Sequence, residues 1–225
     1  MLKAILFDLD GTLTNTDPIH YSVWKNLLSD YDIAVDREFY DRYFSGRLNA
    51  DIIADLLPQL SPEEGAQFSD RKEALFREHA QTELIRLEGL TEFLDWVDRH
   101  HLKRAVVTNA PPKNAWFSLD VLQLRDFFEV VVIGEELEHG KPHPMPYEVG
   151  LQKVGVEASE AIAFEDSPSG IRSAVSAGIL TVGVASTHEP EALTSAGATS
   201  VIKDFQDPVL NTILETHYGV MGRTP

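Results

Sequence analysis

The apolar positions along this chain change their period twice, and those changes divide it. Ala4-Ile5-Leu6-Phe7 is an uninterrupted apolar run, the pattern of a strand buried on both faces of a parallel sheet. Past residue 16 the period becomes helical. Ile19, Val23, Trp24, Leu27, Leu28 and Tyr31 share one face behind Asp17-Pro18, which reads as an N-cap with proline at the first helical position. Asp36 caps a second helix to about Tyr43, with a break at Ser45-Gly46, and a third covers Ala50 to Leu57. Ser61-Pro62-Glu63-Glu64 has the form of a capping box opening a long charged helix toward Thr82. Four helices without a strand predict an inserted, all-helical domain over residues 14–86.

From Gly89 onward, helices alternate with short apolar strands. The strands are expected at Ala105 to Thr108, Val130 to Ile133, Ala161 to Phe164, Leu180 to Val184 and Ser200 to Ile202. Helices are expected over Leu90 to Arg99, Asn114 to Leu122 and Tyr147 to Val154, and another from Ser167-Pro168 to Gly178. This alternation predicts the α/β class, a doubly wound parallel sheet with helices on both faces. The first strand belongs to that sheet, so residues 1–13 and 87–225 form one Rossmann-like core interrupted by the helical insert. Residues 222–225 look loose.

Charge narrows the partners. The chain has 19 basic and 36 acidic side chains, a formal net charge of −17. That balance opposes non-specific binding to nucleic acid or anionic membrane and suits a cation-dependent site. Cysteine is absent, which excludes disulfides, thiol catalysis and thiolate metal sites. The N-terminal apolar run is too short for a signal peptide or a membrane span. A monomeric, cytoplasmic protein is expected, with a small molecule as its partner.

The chemistry collects at strand ends. Asp8 and Asp10 are one residue apart where the first strand stops, so in extended chain they leave on the same side, and Gly11 then lets the backbone turn. Buried carboxylates are costly unless a cation or a reacting group meets them. Thr108-Asn109 closes the second strand, Glu165-Asp166 closes the strand from Ala161, and Lys141 sits in Gly140-Lys141-Pro142 after the third. Each alone reads as a turn, a helix cap or a surface lysine. Together they put four carboxylates, a hydroxyl and a lysine at the carboxyl edge of the sheet, where ligands bind in such folds. Oxygen donors of this kind suit Mg²⁺. A carboxylate nucleophile, a lysine and a second carboxyl able to pass a proton also suit phosphoryl transfer.

Asp8-Leu9-Asp10-Gly11-Thr12, Thr108-Asn109, Lys141-Pro142 and Phe164-Glu165-Asp166-Ser167 resemble, in order and spacing, the four motifs of the haloacid dehalogenase superfamily of phosphohydrolases. The resemblance implies Asp8 as nucleophile and Asp10 as general acid and base. It implies that Thr108, the backbone at Asn109 and Lys141 hold the phosphoryl oxygens, with Lys141 bridging to Asp8. Asp8, the Asp10 carbonyl, Glu165 and Asp166 would hold Mg²⁺. The insert resembles the cap of the β-phosphoglucomutase-like branch, in which Asp17, His20, Trp24 and Lys25 recur on the first helix and Arg71-Lys72 on the last. Trp24 also fits cap core, and His20, Lys25 and Lys72 fit solvated surface equally well.

Two departures stand out. Mutases of that branch carry Gly-x-x-Arg on the cap, the arginine gripping a distal phosphate; here the segment is Gly46-Arg47-Leu48-Asn49. Pro111-Pro112 replaces the phosphate-binding serine and its neighbours after Thr108. The expected function is therefore a Mg²⁺-dependent phosphatase of a small phosphorylated metabolite, a sugar phosphate, working through an aspartyl-phosphate. The rivals are a β-phosphoglucomutase-type phosphomutase and a non-catalytic, phosphate-binding regulatory protein on the same scaffold.

Overall fold

The computed structural model describes residues 1–44 and 47–218. Ser45-Gly46 and residues 222–225, both singled out above, lie outside the described residues. Two compact units appear: Thr16–Leu84, and Met1–Asn15 joined with the chain from Ile85 onward.

The larger unit is built on six parallel strands: β1 (Ala4–Phe7), β2 (Lys103–Thr108), β3 (Val130–Ile133), β4 (Ala161–Glu165), β5 (Leu180–Val184) and β6 (Ser200–Ile202). Their order is β3-β2-β1-β4-β5-β6, the doubly wound arrangement expected. β1 is central, with Phe7 aligned to Val106 of β2 and to Phe164 of β4. The order of strands reverses between β1 and β4. Their carboxyl ends therefore flank the crevice in which such sheets place ligands.

The two faces of the sheet are packed differently, and the alternation of the strands explains why. Ala4, Leu6, Ala105, Val107, Ala161 and Ala163 point to one face, where small side chains let α7 (Met145–Val154) and α8 (Pro168–Ser176) come close. A Cβ on Gly150 of α7 would stand 2.9 Å from the Leu6 side chain. The opposite face is aromatic. Phe7 stacks on Phe164 at 5.6 Å and meets Phe93 of α5 (Leu90–Arg99) edge-on at 5.9 Å; Phe93 also lies 5.2 Å from Phe205. Such pairs add to the area that the rings bury. The remaining helices of this unit are α6 (Pro112–Val121), α9 (Pro190–Ala196) and α10 (Pro208–Tyr218). The sequence reading does not name α9 or α10, although Glu189-Pro190 and Gly197 punctuate α9 at both ends.

The smaller unit holds α1 (Asp17–Ser29), α2 (Arg37–Tyr43), α3 (Asn49–Leu56) and α4 (Pro62–Glu83). The capping box forms as its residues suggest: Ser61 N–H donates to Glu64 Oε2 at 2.8 Å, and Glu64 N–H donates to Ser61 Oγ at 3.3 Å. Asp36 accepts from Phe39 N–H at 2.8 Å. Asp17 differs from expectation. It is the first residue of α1, with Thr16 as N-cap, and its carboxylate reaches across to Arg37 at 2.6 Å. Trp24 is 2% exposed and packs on Phe44 and Phe68 with ring centroids 5.1 and 6.0 Å away. Among the described residues no helix is long and apolar enough to cross a membrane.

Phe7 lies at the centre of the aromatic layer. Phe7→Ala is expected to cost about 3–5 kcal/mol of unfolding free energy, as core phenylalanine truncations do. Denaturant midpoints measure it, and a loss under about 1 kcal/mol would contradict the packing described here.

Candidate active site

Asp8 follows the last residue of β1 directly, and its N–H donates to the Phe164 carbonyl of β4 at 2.9 Å. The chain then turns at Gly11, whose φ is +85°. A side chain there is excluded twice over, since a Cβ would stand 2.1 Å from Asp166 Oδ2. Glu165 is the last residue of β4 and Asp166 the next, so both leave the sheet beside Asp8. Asp8, Glu165 and Asp166 each place a carboxylate oxygen within 4.8 Å of the others, and all three are buried. Asp10 is partly buried in the same turn.

Lys141 arrives from the connection between β3 and α7. Its Nζ lies 2.5 Å from Asp8 Oδ1 and 2.5 Å from Glu165 Oε1, and its side chain is 4% exposed. Glu165 is held on both oxygens. Oε1 also accepts from Tyr147 Oη at 2.8 Å, and Oε2 accepts from Ser167 Oγ at 3.4 Å. The first turn of α8 closes over it, where Gly170 leaves no room for a Cβ beside the carboxylate. Asp166 accepts from the Thr187 hydroxyl. Thr108, buried at the end of β2, accepts from Ala110 N–H at 2.9 Å.

Three carboxylates face one ammonium here, and the proton affinities record the imbalance. Burial alone would lower the pKa of Lys141, but Asp8 and Glu165 outweigh it and hold the lysine well above its ordinary value. The carboxyls of Glu165 and Asp166 are raised as well, which for an acid disfavours the charged form. Burial and the charge of Asp8 push Glu165 up to about 7, against the pull of Lys141 and of its hydrogen bonds to Lys141 and Tyr147. Burial, then Asp8 and Glu165, raise Asp166 well above the usual carboxylate range. A single lysine can be fully charged while the acids around it remain short of positive charge. The donor set fits a hard divalent cation: all the ligating atoms are oxygens, and Mg²⁺ is bound through one or two carboxylates with room for water and phosphate.

The sequence-predicted residues thus divide. Asp8, Lys141, Glu165 and Asp166 come together at the carboxyl ends of β1 and β4, and Thr108 closes neighbouring β2. The side chain of Asn109 is turned to the Lys141 backbone, accepting from its N–H and donating to its carbonyl, both at 3.1 Å. In the helical unit, Lys72 is buried rather than solvated, 2.8 Å from Glu73 and 2.9 Å from His20 Nδ1. Burial, and then Lys72, lower the His20 pKa to about 3; its ring stacks on Phe76 at 4.1 Å. Asn49 donates to Glu73 at 2.6 Å and to Ser69 at 3.2 Å. Arg47 pairs with Asp55 at 2.5 Å, and Gly46 is outside the described residues. Tyr147 and Thr187 are supports that the sequence does not single out, and Ser167, expected as a helix cap, also donates to Glu165. Nothing local marks Tyr147 or Thr187.

Residues 5–184 match the family model described as haloacid dehalogenase-like hydrolase. The chain belongs to this family of hydrolases. It is 30% identical to validoxylamine A 7'-phosphate phosphatase of Streptomyces hygroscopicus subsp. limoneus, over 92% of this chain and 96% of the relative. It is 28% identical to a phosphorylated carbohydrates phosphatase of Thermotoga maritima, over 95% and 99%. Among solved structures, a family IA, variant 3 hydrolase from Entamoeba histolytica superposes with a TM-score of 0.82 at 26% identity, covering 91% of this chain and 94% of that one.

The raised carboxyls make stability depend on pH. Folded Glu165 keeps its proton to about 7, whereas an unperturbed glutamate loses it near 4.5. The folded state therefore binds more protons between those values, and stability falls as pH rises through that window. Mg²⁺ should reverse the trend, raising the melting temperature more at pH 7.5 than at pH 5, where protons compete with it. A Mg²⁺ shift that is larger at pH 5 would contradict the assignment.

Proposed function

We propose that this hydrolase is a Mg²⁺-dependent phosphatase of small phosphorylated carbohydrates, working through a phosphoryl group carried on Asp8. The observation that carries the reading is the ammonium of Lys141 held against Asp8 and Glu165, with Asp166 beside them, at the switch point of the sheet. Asp8 attacks phosphorus, the phosphorus–oxygen bond to the leaving group breaks, and Asp10 gives its proton to the departing oxygen. Asp10 then takes a proton from water, which attacks the same phosphorus and frees Asp8 and inorganic phosphate. Lys141 keeps the nucleophile in place and offsets charge on the phosphoryl oxygens, while Thr108 and the backbone at Asn109 donate to them.

Asp8, the Asp10 carbonyl and Asp166 would hold the Mg²⁺ directly. Glu165, engaged by Lys141, Tyr147 and Ser167, supports from behind. Bound there, Mg²⁺ supplies positive charge that lets an anionic phosphate approach an anionic nucleophile. In this reading the helical unit is the cap that the resemblance implies, and it governs the choice of carbohydrate.

Two observations favour hydrolysis over isomerisation. A mutase must retain a bisphosphate by its second phosphate, and a bidentate arginine does this well. Asn49 cannot supply that charge, and its amide is spent on Glu73 and Ser69. Arg47, the nearby substitute, is paired with Asp55 and bonded to the Tyr43 carbonyl. Losing one charge-assisted contact costs about 1.5–3 kcal/mol, roughly ten- to a hundredfold in retention.

Phosphate release from a panel of phosphorylated sugars tests the reading. Asp8→Asn should reduce turnover to background while leaving the melting curve near that of the wild type, and substantial residual turnover would overturn the nucleophile. With β-glucose 1-phosphate and catalytic bisphosphate, free phosphate should form faster than glucose 6-phosphate. The reverse ratio would make the protein a mutase.

A further inference from the structure

Lys141 has a demanding task and a poor local means of meeting it. Its side chain is long and flexible, yet the ammonium stands 2.5 Å from both Asp8 and Glu165. Its backbone belongs neither to a strand nor to a helix; it lies in the connection between the turn at Gly134–Glu136 and α7. A residue in such a connection has no ladder to fix its peptide groups, so something else must.

Asn109 is placed to do so. Its Oδ1 accepts from the Lys141 N–H and its Nδ2 donates to the Lys141 carbonyl, both at 3.1 Å, across 32 residues of sequence. A carboxamide has the same donor and acceptor as a peptide group. Paired at two points with one residue's backbone, it works as one rung of a sheet would. The amide is also confined: a Cβ on Gly134 would stand 2.2 Å from Asn109 Oδ1, and one on Gly140 would stand 3.0 Å away. Asn109 follows Thr108 at the end of β2, so the anchor is carried by the sheet itself.

We infer that Asn109 is a positioning residue, whose side chain fixes the Lys141 backbone so that the ammonium stays between Asp8 and Glu165. This rests on the proposed function for the role of Lys141, but the clamp itself can be tested without turnover. Asn109 is exposed, so Asn109→Ala should fold. The clamp, not a turn, then accounts for glycine at 134, which has no left-handed φ, while a Cβ at 140 would crowd the amide without excluding it.

The test compares wild type with Asn109→Ala by mass spectrometry, following acetylation of each lysine ε-amine and exchange of the Lys141 amide. The clamp predicts at least about tenfold faster exchange at Lys141 and several-fold greater acetylation there, with Lys103 and Lys153 unchanged. Equal labelling of Lys141 in the two proteins would overturn it, whatever the protein's activity. The second arm measures inorganic phosphate binding by calorimetry in Mg²⁺, for Asn109→Ala, Lys141→Met and the double variant. A residue acting through Lys141 should weaken binding in the wild-type background, by about ten- to a hundredfold, and by less than twofold once Lys141 is gone. An undiminished loss in the Lys141→Met background would make the Asn109 side chain a direct phosphate contact and overturn the inference. If wild type binds no phosphate, the proposed function fails, and the labelling arm still decides the clamp.

Discussion

Three buried carboxylates around a single ammonium are the constraint on which the rest of this structure depends. Removing one ionised group from water costs several kcal/mol even after the surroundings relax, and Asp8, Glu165 and Asp166 are all 7% exposed or less. Lys141 offsets part of that cost. The supports around it carry the rest: Tyr147 and Ser167 on Glu165, Thr187 on Asp166. Even the glycines answer to it, because Gly11 and Gly170 stand where any side chain would strike a carboxylate. A fold pursuing stability alone would place apolar residues here. The concentration of negative charge is what the proposed function reads as a place for a cation and an anionic substrate.

The sheet delivers that cluster with little freedom. β1 lies between β2 and β4, and parallel register brings Phe7 level with Val106 and Phe164. The residues immediately beyond these strands are then neighbours by construction. Small side chains on one face and phenylalanines on the other lock the register from both sides, so a slip of one residue would put aromatic rings against α7. Precision at the strand ends is thus inherited from packing several residues below them.

Much of this was legible in the chain. The apolar run at Ala4 to Phe7, the Asp-rich turn after it and the helix–strand alternation beyond Gly89 are local signals, and local signals fix strands and caps. Ser61 with Glu64, Asp36 and Ser167 cap as their residue types demand. What could not be read depends on contacts far apart in sequence. Tyr147 looks like ordinary helix core until Glu165 is placed beside it. Lys72 looks like the exposed lysine of a charged helix until Glu73 and His20 surround it. Asn109 looks like a turn residue, because its partners lie 32 positions away. Asp17 looks like an N-cap, but it is the first residue of α1 and its carboxylate pairs with Arg37, twenty positions away.

In the proposed function the carboxylates beyond β1 and β4 hold a divalent cation. Crystals grown with Mn²⁺ in place of Mg²⁺ test it most directly, because manganese scatters anomalously and shares the preference for oxygen ligands. One strong anomalous peak is expected about 2.1 Å from carboxylate oxygens of Asp8 and Asp166. Crystals in millimolar Mn²⁺ showing the Lys141 bridge intact and no peak among these residues would contradict it.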